Sequence, residues 1–394
     1  MAGASLSKWP SAVMISGLVN DGTMSYDDKA SKYLKWWATD PSDPRSAITL
    51  RHLLSFTSGF DEDAYEICPP WDSFDKCTEK QYEKTPYNAT ISPRPGTHWA
   101  YLSCHLQFAG AMAAAASGKD IQALFGEYLY KPYNMTSTSW SGGGKNPSMA
   151  AGITTTGADF ENMMQRLLTA SVLGESTLAQ METDWSKEPC HPSGDGWFGH
   201  YGMGHWWECL GYGDAGHEKD ALPAVCADAA VQAGPGEFGW YPLLDRSGGG
   251  GAAGPARQPY YMQVILQEPD ALSGIPEYLR VMLKPLVDQI LAGNDPAAGG
   301  SAMRQQLLDQ GAGLLVRDID YIEQSLKSCT CSGGSGGSGG RNEPFHSLSE
   351  GMPKDDRHAT RREIASKGVG LLLHELIPIQ QKLGNCTCKG RTGL

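Results

Sequence analysis

The chain has 394 residues, 40% of them hydrophobic, with 32 Lys and Arg against 44 Asp and Glu, a formal net charge of −12. This length accommodates two domains, or one large domain with an appendage. The acidic balance argues against a general nucleic-acid binder, which needs a basic face to neutralise phosphates. No run of about eighteen apolar residues occurs, so no membrane-spanning helix is predicted. The charge is uneven: residues 1–300 carry 20 Lys and Arg against 34 Asp and Glu, and residues 301–394 carry 12 against 10, so the C-terminal part is electrostatically distinct.

In chain order, the first element is an apolar helix carrying Val13, Met14, Ile15 and Leu18, opened by Ser5-Leu6-Ser7-Lys8. On a helix, Ser5 and Lys8 lie one turn apart on the same face. A serine hydroxyl is a weak nucleophile at neutral pH, and a lysine amine beside it in a poorly solvated site can act as its base. The helix N-terminus adds backbone N–H groups for an oxyanion. Spacing alone does not decide the matter, because Ser73-Phe74-Asp75-Lys76 repeats it. That second copy follows Pro69-Pro70 in a polar stretch, which predicts a loop rather than a buried active-site helix.

Asn20-Asp21-Gly22-Thr23 reads as a turn and Ser25 to Asp28 as the start of a short helical piece. From Ile48 to Phe60 the pattern predicts a helix with Thr49 as N-cap and Gly59 as stop. Cys68 and Cys77 in the following loop are expected to form a local disulfide. Helices are predicted for Leu106–Ala116, Ile121–Tyr130 and Asp159–Leu168, the last capped by the threonines of Gly152-Ile153-Thr154-Thr155-Thr156. Tyr201 to Trp207 reads as one strand, and Phe238–Asp245 and Tyr260–Leu266 as paired antiparallel strands. Ile275–Leu291 is predicted to be a closing helix with Leu279, Met282, Leu283, Leu286 and Ile290 on one face.

Beyond a linker at 293–300, the stretch from Ser301 aligns without a gap to that from His358, a repeat of period 57. Each unit, 301–331 and 358–394, reads as an amphipathic helix ending in Cys-Thr-Cys, and 332–357 opens with the flexible SGGSGGSGG. Two cysteines one residue apart rarely bridge each other, so Cys329 and Cys331 are expected to pair with Cys386 and Cys388, a four-thiolate metal site being the alternative. Such a helical hairpin could dock a protein partner or self-associate. The ten cysteines and the sequons at Asn88, Asn134 and Asn385 point to a secreted or lumenal protein, although no signal-peptide pattern opens the chain. His98, His105, His191, His200, His205 and His217 show no ligand spacing backed by a third carboxylate, so neither a metal nor a cofactor is predicted.

Five blocks, ITLRHLLSFTSGF, PGTHWAYLS, SGKDIQALFGEYLYKPYNM, GITTTGADF and FGWYPLLD, occur in an order that resembles the serine beta-lactamase-related family of class C beta-lactamases, penicillin-binding-protein-like carboxypeptidases and esterases. The resemblance covers roughly residues 1 to 292. It implies an α+β fold, an antiparallel sheet flanked by helices with a helical subdomain, to which the C-terminal helical hairpin is added. It also implies a serine hydrolase acting on a small ester or amide through an acyl-enzyme on Ser5, with Lys8 as base and Tyr101 as proton relay. A catalytically inactive docking subunit is the alternative.

Three departures qualify it. Ser103 stands where the second motif usually has Asn. The third motif aligns with Gly234-Pro235-Gly236 or, less well, Gln232-Ala233-Gly234, neither of which offers a cation for a substrate carboxylate; this favours esters over lactams and peptides. The second oxyanion donor falls near Glu237, as a backbone N–H that needs no particular side chain. Finally, family members carry a longer segment before the nucleophile that supplies two strands. Its absence from this sequence predicts an unpaired edge beside Tyr260–Leu266 and a nucleophile next to a frayed chain end. A longer natural N-terminus, a second chain on that edge, or an altered architecture would each account for the difference.

Overall fold

The computed structural model describes residues 1–63, 72–88, 92–140, 146–186, 199–208, 231–246, 259–265, 284, 329–331 and 386–388. The chain divides into two compact units, Met1–Gly213 with His217–Gln267, and Asp214–Gly216 with Glu268–Leu394. Among the described residues no helix is long and apolar enough to cross a membrane.

The first unit is built on α1 (Lys8–Asn20), whose side chains from Lys8 to Ser16 are all buried. A helix apolar on every side must be enclosed. It packs against α4 (Cys104–Ser117), the turn Gly126–Tyr130, and α7 (Glu175–Met181). Pro10 sits in its first turn, where a missing N–H costs nothing. Among the described residues of this unit the other helices are α2 (Leu50–Leu54), α3 (Phe74–Lys84), α5 (Ile121–Phe125) and α6 (Gly157–Leu168). Thr156 caps α6 by accepting the Asp159 N–H, as the threonine run predicts.

A two-stranded ladder pairs β1 (Ser139–Trp140) with β2 (Ile153–Thr154). Among the described residues the main sheet is antiparallel with five strands, in the order β3 (Gly199–Tyr201), β4 (Trp206–Glu208), β5 (Val231–Ala233), β6 (Trp240–Asp245), β7 (Tyr260–Ile265). Every residue of β6 is buried, as a central strand covered on both faces requires. The predicted pair is present, with Trp240 opposite Ile265 and Asp245 opposite Tyr260. On the far side of β7 no further strand is paired among the described residues, and Ile265 there is 39% exposed. α6 lies along β7, tied by Gln263 Nε2 to the Gly157 carbonyl at 3.0 Å.

Several local expectations are corrected. The helix from Ile48 ends at Leu54, well before Gly59, because Phe56 turns into the left-handed region at φ 62 and sends its ring into the core. Tyr201 to Trp207 is a hairpin rather than a strand: β3 and β4 are joined through Gly202–His205, with Gly204 at φ 77. The piece after Ser25 is a turn followed by a 3₁₀ segment at Ala30–Lys32, and the helix from Ile121 passes into a wider π turn at Gly126–Tyr130.

In the second unit, the two Cys-Thr-Cys segments are not helix ends but strands, β8 (Cys329–Cys331) and β9 (Cys386–Cys388). They pair antiparallel with Cys329 opposite Cys388 and Cys331 opposite Cys386. Of the predicted closing helix at 275–291 only Lys284 is described, and it is helical; the linker at 293–300, the boundary at 292 and both repeat helices lie outside the described residues, as do Cys68 and Asn385. Cys77 is buried, and Cys104 is a buried free thiol.

Candidate active site

The chain enters the site through a strained turn. Ala4, a non-glycine residue, has φ 44, and Ser5 to Ser7 follow in a 3₁₀ turn that leads directly into α1. Strain of this kind persists only where the surroundings fix it, and here they do. Gly3 N–H donates to the Ile153 carbonyl at 2.8 Å, the Met1 amine donates to the Thr155 carbonyl at 2.9 Å, and the Thr155 N–H returns a bond to Met1 at 3.0 Å. Ser7, fully buried, donates to the Ala4 carbonyl at 2.6 Å and accepts the Ile153 N–H at 2.9 Å. The expectation of a frayed nucleophile is therefore corrected: residues 1–3 extend the β1–β2 ladder and pin the turn.

Within this frame Lys8 Nζ donates to Ser5 Oγ at 2.9 Å and to the Ala150 carbonyl at 3.2 Å. Lys8 is only 3% exposed, whereas Ser5 is half-buried, so the hydroxyl is the group a substrate can reach. Nζ also lies 4.7 Å from the ring centroid of Tyr101, over its face. Tyr101 is fixed in an aromatic cluster, stacked on Trp206 at 5.2 Å and edge-on to Phe56 at 5.6 Å and Tyr201 at 6.1 Å. Burial pushes the Tyr201 phenol well above its ordinary range, aided by the neighbouring Tyr101.

Ser103 is the N-cap of α4, yet its side chain makes no capping bond. Gly234, Gly236 and Glu237 lie on the hairpin that links β5 to β6, closed by a 2.7 Å bond from the Gly236 N–H to the Trp240 carbonyl. That hairpin packs on the Ser5 turn: a Cβ at Gly236 would overlap the Gly3 carbonyl oxygen and come within 3.1 Å of Leu6 Cβ. A Cβ at Gly234 would meet the Trp9 ring at 2.9 Å. Glu237 is exposed at the tip. The structure thus gathers Ser5, Lys8 and Tyr101 into one contact set and brings the glycine hairpin against it.

Ser73 and Lys76 are elsewhere and built differently. The sequence predicts a loop there, but Ser73 is the N-cap of α3, its Oγ accepting the Lys76 backbone N–H at 3.2 Å, and both side chains are exposed. Of the histidines, His105 and His205 are wholly buried and held neutral by burial, their pKa values pushed down to about 3 and about 4. Among the described residues no group of three or more His, Cys, Asp or Glu gathers to hold a metal ion.

Two contributors have no side-chain signature in the sequence. The Ala150 carbonyl is a backbone acceptor two residues before the GITTTGADF block, which announced only a helix cap. The other is Asp63, whose carboxylate accepts the Ser103 N–H at 2.6 Å and the Cys104 N–H at 3.2 Å from a position forty residues upstream.

A beta-lactamase family model matches residues 1–231, more than half of the chain. The chain belongs to the beta-lactamase family. Among similar proteins is the D-alanyl-D-alanine-carboxypeptidase/endopeptidase AmpH of Escherichia coli (strain K12), 29% identical over 138 residues, which are 35% of this chain and 36% of that protein. Penicillin-binding protein 4* of Bacillus subtilis (strain 168) is 27% identical over 137 residues, 34% of this chain and 29% of the relative. The chain thus spans about a third of the length of these curated relatives. The octameric penicillin-binding protein homologue of Pyrococcus abyssi shares the fold with a TM-score of 0.51 at 15% identity, over 78% of this chain and 69% of its own. The family's serine-hydrolase fold accommodates the mixed helix and antiparallel-sheet architecture seen here.

Proposed function

We propose that this member of the beta-lactamase family is a serine hydrolase that forms an acyl-enzyme on Ser5 and prefers esters or amides without a carboxylate next to the scissile bond. The observation that carries this reading is the 2.9 Å contact between Lys8 Nζ and Ser5 Oγ in a pinned turn where the lysine is buried and the serine is reachable. In the reaction, Ser5 Oγ bonds to the carbonyl carbon as its proton passes to Lys8 Nζ. The oxyanion is met by the Ser5 N–H, which has no backbone partner among the described residues, together with an N–H of the hairpin near Glu237. Tyr101 relays the proton to the leaving group, and water then cleaves the acyl bond.

The preference follows from the hairpin. Gly234-Pro235-Gly236 brings no cation to the site, while Glu237 is exposed beside it and repels a substrate carboxylate. The relative AmpH is named for D-alanyl-D-alanine cleavage, which presents such a carboxylate. The competing reading, an inactive docking subunit that uses the C-terminal segments, draws on the same departures at Ser103 and at the hairpin. An oxidising compartment is part of the proposal, supported by exposed sequon asparagines at Asn88 and Asn134.

One experiment tests the assignment. The full chain is treated with a fluorophosphonate probe and assayed on an uncharged acetyl ester and on a D-alanyl-D-alanine dipeptide, alongside Ser5→Ala and Ser73→Ala. Labelling and ester turnover lost only in Ser5→Ala support it. Labelling that survives in Ser5→Ala, or a folded protein that neither labels nor turns over, sinks it in favour of the docking reading; preference for the dipeptide removes the ester assignment.

A further inference from the structure

The first turn of α4 lacks its own cap. Ser103 occupies the N-cap position with helical angles, φ −77 and ψ −31, from which its hydroxyl caps nothing. The cap comes from the loop after α2, where Asp63 accepts Ser103 N–H through Oδ2 at 2.6 Å and Cys104 N–H through Oδ1 at 3.2 Å. Both oxygens are used, and a carboxylate facing two helix-terminal N–H groups makes charge-assisted bonds. Burial and the adjacent Asp63 carboxylate together raise the Cys104 thiol well above its ordinary pKa.

The loop that carries Asp63 is itself held along α4. Ser58 Oγ bonds His105 Nε2 at 2.6 Å, and the Phe60 ring lies 5.6 Å from that of Phe108. Gly59 makes the bend at φ 90, where a Cβ would overlap the Pro93 carbonyl. Asp63 is therefore delivered to the α4 terminus by a braced segment. Two residues before that terminus is Tyr101, whose ring face meets Lys8 Nζ at 4.7 Å.

We propose that Asp63 is a positioning residue: by capping α4 in place of Ser103 it fixes the Tyr101-Leu102-Ser103 turn against Lys8 and leaves the Ser103 hydroxyl free of capping duty to face substrate. This rests on the hydrolase reading above. Tyr101 acts on the leaving group, so its misplacement lowers the rate of the chemical step more than it weakens binding.

The test compares Asp63→Leu, which removes both acceptors, with Asp63→Asn, which keeps one, and with Asp43→Asn at a remote cap, where the Asp43 carboxylate accepts the Arg45 N–H at 2.9 Å. Each is assayed for kcat and KM on the uncharged ester, for amide hydrogen exchange at Ser103 and Cys104, and by ¹⁹F NMR of fluorotyrosine at Tyr101. The expected result is a kcat loss of roughly ten- to a hundredfold in Asp63→Leu with KM within about twofold, partial recovery in Asp63→Asn, faster exchange of both amides, and a shifted Tyr101 resonance. An unchanged kcat in Asp63→Leu with accelerated exchange overturns the positioning role. Equal losses in Asp63→Leu and Asp43→Asn overturn it too, since they signal general destabilisation. If the wild-type chain has no Ser5-dependent turnover, the hydrolase reading fails by itself. The positioning claim is then decided by NMR: a Tyr101 resonance that moves in Asp63→Leu and not in Asp43→Asn supports it, and one that stays put refutes it.

Discussion

Replacing Gly236 by alanine adds a single methyl group at the place where the β5–β6 hairpin rests on the turn that carries Ser5. The added Cβ would overlap the Gly3 carbonyl oxygen, lie 3.3 Å from the Gly3 carbonyl carbon and 3.1 Å from Leu6 Cβ. The obstructing atoms are mostly backbone, so no rotamer change relieves the overlap, and Gly236 does not have a positive φ that would add strain of its own. Restoring ordinary carbon contacts near 3.5 Å requires the hairpin and the turn to separate by about 1 Å. Overpacking of this kind costs about 1–3 kcal/mol. A fold of this size responds with roughly 2–4 °C in Tm per kcal/mol. The larger consequence is geometric, because Gly3 precedes Ala4 and Ser5, and a misplacement of about 1 Å at a reacting atom costs on the order of a hundredfold in rate. Ester turnover and thermal unfolding are measured for Gly236→Ala, with Gly126→Ala as control because nothing lies within 4 Å of its Cβ position. A Gly236→Ala protein with wild-type kcat/KM and a Tm matching that of Gly126→Ala would show that this close approach does not position Ser5.

Tyr101→Phe separates the two contributions of that residue, since phenylalanine retains the ring face over Lys8 and loses only the hydroxyl. The expected loss in kcat is about 10²- to 10⁴-fold if the phenol relays the proton, and unchanged turnover with a normal Tm rejects that role. Acid stability gives an independent check on burial. His52, His105 and His205 have pKa values pushed below their usual 6.5 to about 4, about 3 and about 4, with burial the largest cause in each. Because the unfolded chain takes up these protons first, their stabilisation is complete above pH 6.5 and is lost as pH falls toward 4, by up to about 1.4 kcal/mol per histidine per pH unit. Urea midpoints from pH 7 to 4.5 should fall steadily, and His105→Phe or His205→Phe should flatten the slope by about a third. A flat wild-type profile across that window refutes the assignment.

What the sequence disclosed was carried by local signals. The alanine-rich α4 ends at Ser117, where Gly118 takes φ 65, and α6 starts at its threonine cap, because propensity and capping act within a turn or two. The two short apolar runs of β6 and β7 likewise announced their pairing. Features that depend on distant partners were hidden. α2 stops at Leu54 because Phe56 is drawn into the core against His105 and Tyr201, at 4.9 and 4.8 Å between rings, which outweighs the apolar helical pattern continuing to Phe60. Tyr201–Trp207 reads as one strand because Gly204 looks like an interior glycine until its close approach to the Lys8 carbonyl is known. Asp63 and the Ala150 carbonyl could not be nominated at all, one acting across forty residues and the other through its backbone.

The two Ser-x-x-Lys segments show what turns a spacing into a site. In Ser73–Lys76 the hydroxyl accepts the backbone N–H three residues on, the ordinary work of an N-cap, with both side chains in solvent. In Ser5–Lys8 the cap position is displaced upstream to Gly3 by the left-handed turn at Ala4, so the Ser5 hydroxyl escapes capping and meets the lysine side chain instead. That displacement exists because residues 1–3 are drawn into the ladder with Ile153–Thr155 and because Gly236 lets the hairpin close over them. The same substitution of cap applies at α4, where Asp63 takes over from Ser103. At both helix starts the serine nearest the site is relieved of its local partner by contacts from far along the chain. A serine so relieved keeps its hydroxyl out of the helix cap.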